Sequence, residues 1–366
     1  MKFWFAASRK VVATFGLFGL LGAHPAMAKC QLQQAAELHV LVENHQALVP
    51  IEINGQRVLM IVDSGAASTI LFPEAARRLG LSTHYLAGVI RFSGVGGQAR
   101  AQTAELANFK LDQNYALKNF TVAVTGQPSL ASGKGVGLLG QDILSAWDVE
   151  VDLAHQLIRL LRPTDCKPDE LVYWGAAYAQ APIERNTGLL NHTTVRVRLN
   201  GKPVDAYLDT GAQGSVATLA AAAEAGVRPS SPEVQKGGTS HGLGDFSADT
   251  WTATFDTFGL GEETINHAKI RIADLYAHNT YEETGSRIGA REENLPGMLL
   301  GADFFLAHHV LIANSQHRVF FSYNGGPVFD PRPPPATPVP PASAAATPDQ
   351  QATKPPHLGS TGSEGG

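Results

Sequence analysis

An apolar strand that delivers an aspartate into a tight turn occurs twice in this chain, in the same surroundings each time. The two copies are Leu59-Met60-Ile61-Val62-Asp63-Ser64-Gly65-Ala66 and Ala206-Tyr207-Leu208-Asp209-Thr210-Gly211-Ala212. A single Asp-[Ser/Thr]-Gly would arise by chance roughly once in several chains of this length. Here the offset between the two aspartates also separates Asn54-Gly55 from Asn200-Gly201, and Leu79-Gly80-Leu81 from Ala225-Gly226-Val227. An ungapped repeat of that kind constrains the chain to two similar lobes, each contributing one carboxylate.

Two carboxyls within hydrogen-bond reach cannot both ionise cheaply, so they share one proton. The ionised member can draw a proton from water while the protonated member donates to a carbonyl oxygen. That is general acid–base hydrolysis of an amide, and it requires no metal, no cofactor and no covalent intermediate. Asp63 and Asp209 are therefore the catalytic candidates. The Ser64 and Thr210 hydroxyls suit a supporting part, hydrogen-bonding backbone across a twofold, and Gly65 and Gly211 let the chain turn sharply and approach closely.

With these motifs the chain resembles a bilobal aspartic peptidase with retropepsin-like lobes, over roughly residues 38–162 and 180–323. The resemblance implies a second element in each lobe, two apolar residues and a glycine on a strand beneath the Asp loop, and Leu138-Leu139-Gly140 and Leu299-Leu300-Gly301 fit it. The segments that follow also match, Gln141-Asp142-Ile143-Leu144 with Ala302-Asp303-Phe304-Phe305. Strand pairs come next, Val149 to Asp152 with Ile158 to Leu160, and Val310 to Ile312 with Val319 to Phe321. The fold implied is mainly β: two retropepsin-like (acid protease) β-barrel lobes related by a pseudo-twofold, with few short helices. The family also implies glycine-tipped flaps, and the candidates are Gly94, Val95, Gly96 and Gly97 in the first lobe and Gly242, Leu243 and Gly244 in the second. An ordinary hairpin tip has the same composition. Neither tip carries the tyrosine of a pepsin-type flap.

The 366 residues suit about two domains, and 44% hydrophobic content fills two cores. Thr194-Val195-Arg196-Val197-Arg198-Leu199 alternates as a half-buried strand does. Short helices are expected after each Asp loop, over Pro73–Leu79 and Thr218–Ala225, each stopped by a glycine. Residues 1–28 read as a signal peptide, with a basic start, an apolar run too short to span a bilayer comfortably, and Ala26-Met27-Ala28 as the cleavage site. Its removal takes Lys2, Arg9 and Lys10 away and makes the net charge of −5 more negative. No basic patch points to nucleic acid. The expected domains are 29–165 for the first lobe, 166–180 for the connection, 181–328 for the second lobe, and 329–366 for a disordered Pro/Ala/Ser-rich tail. Cys30 and Cys166 bracket the first lobe, so an oxidising compartment predicts a disulfide between them, the alternative being two separate buried thiols.

His308-His309 reads as a structural pair without a carboxylate at ligand spacing. Asp142 and Asp303 read as caps of the following turn or helix, and Asp152 and Asp205 as surface charges. Ser68 and Ser215 lie in the post-Asp turns. The expectation is an exported (periplasmic or secreted) aspartic endopeptidase. It acts as a monomer on a peptide or protein substrate in extended form, with no nucleic-acid partner and no membrane association after signal cleavage. Two alternatives stay open: a peptide-binding protein without activity, and an obligate homodimer that pairs lobes between chains.

Overall fold

The computed structural model describes residues 29–85, 91–175, 177–184, 192–278, 280–282, 289–291 and 295–329. The expected signal peptide and the tail from residue 330 onward lie outside the described residues. Each lobe is a closed barrel of six strands assembled in the same order. In the first lobe, Gln46–Ile53 turns back into Gln56–Val62 through Asn54-Gly55. In the second, Thr194–Leu199 turns into Lys202–Leu208 through Asn200-Gly201. Both turns place Asn and Gly at positive φ (49° and 83°, 48° and 78°), as two-residue hairpin turns require. In Thr194–Leu199 the side chains of Val195, Val197 and Leu199 are buried and those of Arg196 and Arg198 exposed, as the alternation predicts.

The strands Gly137–Leu139 and Met298–Leu300 run parallel to the aspartate-bearing strands (Leu139↔Val62, Leu300↔Leu208) and antiparallel to the short strands Ile70–Leu71 and Val216–Thr218. The glycines that follow are forced by packing. An ideal Cβ on Gly140 would lie 2.4 Å from the carbonyl carbon of Ser68, and one on Gly301 would lie 2.4 Å from that of Gly214. The barrels close through Gln102–Lys110 on Gln46–Ile53 and through Ser247–Leu260 on Thr194–Leu199. Helices Pro73–Arg78 and Leu219–Glu224 follow the Asp loops, the second with the Thr218 hydroxyl accepting from Ala221 N.

The lobes are joined by a shared antiparallel sheet. Gln31–His39, Leu157–Thr164 and Asp148–Asp152 come from the first lobe, and His308–Ala313, Arg318–Tyr323 and Ala179–Glu184 from the second. The seam pairs Val149↔Ile312, Glu150↔Leu311 and Val151↔Val310. One face of this sheet belongs to the core under the barrels. On the other face, Leu161, Leu311 and Phe320 bury Leu171 and Val172 of the connection, with Trp174 packed alongside. Trp174 also stacks on His309, ring centroids 4.0 Å apart, and donates from Nε1 to Ser322 Oγ.

Several readings need correction here. Asp152 is buried. It accepts from His155 N and Asn324 Nδ2 and pairs with His155 Nδ1 at 2.8 Å. The two histidines do have carboxylate partners, which come from distant parts of the chain: His308 Nε2 lies 3.1 Å from Glu263 Oε1, and His309 Nε2 2.8 Å from Glu150 Oε1. Asp205, by contrast, is the exposed surface charge expected, and pairs with Arg196. The second lobe extends past residue 328, because Phe329 is buried against Phe258.

Cys30 and Cys166 form a disulfide that ties the start of the first strand to the connection. It closes a loop with a sequence separation of 136, for which chain entropy allows up to about 4–5 kcal/mol. Reduction is expected to lower the melting temperature while the two Asp loops stay intact. Two freely titrating thiols in the native oxidised protein would contradict this pairing.

Candidate active site

Asp63 and Asp209 stand at the ends of their parallel strands, their backbone N–H groups donating to Leu139 O (3.0 Å) and Leu300 O (2.9 Å). The loops then fold each carboxylate back onto its own turn. Asp63 Oδ1 accepts from Gly65 N and Ala66 N, both at 2.9 Å, and Asp209 Oδ1 accepts from Gly211 N (3.0 Å) and Ala212 N (2.9 Å). The two carboxyls face each other across the junction of the loops and are electrostatically coupled. Each glycine lies flat against the other lobe's aspartate. A Cβ on Gly65 would fall 2.3 Å from Asp209 Cγ, and one on Gly211 2.3 Å from Asp63 Cγ. Any side chain there would push the carboxyls apart.

Four further hydrogen bonds clasp the loops across the pseudo-twofold. Ser64 Oγ donates to Leu208 O (2.7 Å) and Thr210 Oγ1 to Val62 O (2.6 Å). In return, each hydroxyl oxygen accepts from the other residue's backbone N–H at 3.0 Å. Both hydroxyl residues are buried. Burial and the nearby Asp209 charge push the Asp63 carboxyl well above the usual carboxylate range. Burial raises Asp209 as well, opposed by the loop amides and by the Asp63 carboxyl. The pair is therefore set to hold one proton between them.

Asp142 and Asp303 are not helix caps, which corrects the earlier expectation. They sit in the first turns of Gln141–Leu144 and Ala302–Ala307 and reach back to the post-Asp turns. Asp142 Oδ1 accepts from Thr69 N and Oγ1, and Asp303 Oδ1 from Ser215 N and Oγ. The same two hydroxyls accept from Gly140 N and Gly301 N. The counterpart of Ser215 is thus Thr69 rather than Ser68. These links lock each Asp turn to its apolar-apolar-Gly strand.

Burial raises Asp303, and it also raises Asp148, which accepts from Ser315 N and Oγ. A carboxyl raised on folding stabilises the fold fully below its unfolded value, and that contribution is lost as pH rises through its folded value. Asp63, Asp209, Asp148 and Asp303, all raised, therefore favour the fold more as pH is lowered towards the ordinary value of 3.8, whereas buried His192, pushed down to about 4, favours it less as pH falls below 6.5.

The glycine-tipped hairpins meet each other. Arg91–Gly94 pairs with Gly97–Arg100, and Gln235–His241 with Ser247–Leu260. At the tips, Gly96 N donates to Leu243 O (2.8 Å) and Phe246 N to Gly96 O (3.0 Å). The apolar tip residues cross over. Val95 packs with Val216, Ala273 and Leu299 of the second lobe, and Leu243 reaches Phe72 and Leu130 of the first. Gly244 has φ +106°, and a Cβ on it would lie 2.0 Å from Gly96 O, whereas one on Gly96 would lie 2.8 Å from Gly244 O. Substituting valine at either position is therefore expected to part the tips. The loss in kcat/KM should be on the order of tenfold or more and greater for Gly244→Val, without unfolding of the lobes. Wild-type kinetics in both variants would show that the tips need not meet.

A family model described as aspartyl protease matches residues 49–143 and 195–304, once in each lobe and over more than half the chain. The chain belongs to the aspartyl protease family. Each match contains one Asp loop, so the chain carries two aspartyl-protease-family lobes in tandem. Among curated relatives, the UBA domain-containing protein Mud1 of Schizosaccharomyces pombe is 34% identical over 136 residues, 35% of this chain and 38% of that protein. DNA damage-inducible protein 1 of Chaetomium globosum is 31% identical over 113 residues, 30% of this chain and 23% of that protein. The chain thus spans well under half the length of either. A crystal structure of a retropepsin-like aspartic protease from Rickettsia conorii is 18% identical, with 37% of this chain and 95% of that chain covered and a TM-score of 0.25.

Proposed function

We infer that the protein is an exported aspartic endopeptidase hydrolysing peptide bonds with a water activated by Asp63 and Asp209. The observation that carries this is the pair of buried, coupled carboxyls at the junction of two lobes, each held by its own loop amides and pressed against the other lobe's loop glycine. The ionised member of the pair takes a proton from water as the water oxygen attacks the scissile carbonyl carbon. The protonated member donates its proton to the carbonyl oxygen, giving a tetrahedral diol. Collapse of the diol breaks the C–N bond, with a proton delivered to the leaving amine, and leaves one carboxylic acid and one amine. Preorganised amides and the buried clasp keep the carboxyls in place throughout.

Both carboxylates come from one chain, which supports a monomer as the working unit. The amino-terminal signal pattern and the Cys30–Cys166 disulfide support export to an oxidising compartment, periplasmic or extracellular. The substrate is an extended segment, whose backbone groups pair with strand edges and flap tips. Mature protein should therefore cleave a polypeptide after it is unfolded far faster than in its native form, and a statine-type transition-state analogue should block the reaction. Analogue binding without cleavage would favour a peptide-binding protein, and equal rates on native and unfolded forms would rule out the extended substrate.

A further inference from the structure

Two buried glutamines, both from the first lobe, break the pseudo-symmetry directly behind the aspartates. Gln46 begins the strand Gln46–Ile53. Its Nε2 donates to Gly211 O at 2.7 Å and Leu130 O at 2.9 Å, and its Oε1 accepts from Ser132 Oγ at 2.7 Å. Gln141 follows the apolar-apolar-Gly strand, and its Nε2 donates to Ser64 O at 2.8 Å and to Thr193 Oγ1 at 3.3 Å. Their relative exposures are 4% and 2%.

The two carbonyls they bind belong to special peptide groups. Ser64 O shares its peptide with Gly65 N, which donates to Asp63 Oδ1, and Gly211 O shares its peptide with Ala212 N, which donates to Asp209 Oδ1. A donor on the oxygen of an amide polarises the group and makes its N–H a stronger donor, more so in a low-dielectric interior. Each glutamine thus acts through one peptide on one carboxylate. Among the described residues the second lobe has no equivalent. The Asp-loop offset sets Gln46 against His192, whose buried Nδ1 has no hydrogen-bond partner and whose ring stacks on Tyr207 at 4.4 Å; burial pushes its pKa down to about 4. The offset of the apolar-apolar-Gly strands sets Gln141 against Ala302, which has no side-chain donor.

We propose that Gln46 and Gln141 are positioning residues for the dyad, each strengthening through one peptide group the amide donor that favours the ionised form of Asp209 or Asp63 respectively. Both also bridge the lobes, Gln46 to the second Asp loop and Gln141 to Thr193, so the acidity of the pair depends on correct docking of the lobes. The other titratable or charged groups around the loops are Asp142, Asp303 with Arg271, His45 on Gln213 O, and His192. Substituting either glutamine leaves all of these in place.

The role in hydrolysis rests on the peptidase function inferred above, so the test reads the carboxyls with and without turnover. Gln46→Met and Gln141→Met keep side-chain length and remove the donor. Carbon-13 carboxyl NMR titration of Asp63 and Asp209 is expected to show the pair's apparent pKa values raised by about half a unit in each variant. The acid limb of kcat/KM should move up by the same amount, and melting temperature records any structural cost separately. Gln141→Glu should approach wild-type activity in acid, where a protonated carboxyl still donates to Ser64 O, and lose it as that carboxyl ionises. Carboxyl titrations that superimpose on wild type in both methionine variants would overturn the proposal even with cleavage intact. Wild-type protein that cleaves nothing, yet shows the shifted titrations in the variants, would instead remove the peptidase function and leave the coupling standing.

Discussion

Asp63→Asn and Asp209→Asn are each expected to reduce cleavage at least about a thousandfold, with the double variant little worse than either alone. The non-additivity follows from the geometry. Two coupled carboxyls that share one proton lose both the base and the acid as a working pair when either is replaced. Asn retains the oxygen that accepts from Gly65 and Ala66, or from Gly211 and Ala212, so the loops and the Ser64–Thr210 clasp should survive. Burst-free kinetics on an unfolded substrate would measure the effect, and near-wild-type rates in either single variant would exclude a two-carboxylate mechanism.

The second large effect is expected far from the dyad, at the seam of the lobes. Glu150, 1% exposed, receives His309 Nε2 from the other lobe, Arg159 Nη1 at 3.0 Å and the Tyr173 hydroxyl from the connection. Burial alone would raise its carboxyl, but the hydrogen bonds from His309 and Tyr173 and the Arg159 charge outweigh it and hold it below the ordinary range. Glu150→Ala leaves these donors facing a cavity and should cost about 3 kcal/mol. Activity should fall with it, because the seam holds the two Asp loops in register. The pH dependence has the opposite sign to that of the raised aspartates. Glu150 contributes fully above its ordinary value of 4.5, and the contribution is lost as pH falls through the lower folded value. Urea unfolding of wild type and Glu150→Ala at neutral pH checks the magnitude, and equal midpoints would remove the seam from the stability of the molecule.

Much of the barrel architecture is visible in short-range patterns. Asn-Gly turns, Asp-[Ser/Thr]-Gly loops and apolar-apolar-Gly strands specify local backbone, and their repetition in the same order is what two equivalent lobes require. The seam left no such trace. Glu150 and His309 are 159 positions apart, and a carboxylate between two valines looks like a solvent-facing strand position until the partner strand is known. Asp152, which reads as a surface charge, is buried because it caps the turn at His155 N and also accepts from Asn324 of the other lobe. Asp142 and Asp303 follow a glycine and open a helix, which is the local signature of a cap, yet their hydrogen bonds run to turns about 70 to 90 positions earlier. The mismatch of Gln141 with Ala302 and of Gln46 with His192 was present in the repeat. It carried no meaning until the carbonyls that those side chains reach were known.

The decisive measurement is the fate of solvent oxygen. Mature protein is incubated with an unfolded polypeptide in water enriched in the heavy oxygen isotope, and the fragments are weighed. Hydrolysis by the Asp63–Asp209 pair should give new carboxyl termini, each carrying one solvent oxygen, with no protein-bound acyl species and no product from the Asp63→Asn, Asp209→Asn double variant. An intact polypeptide, an acylated enzyme, or the same labelled fragments from the double variant would contradict it.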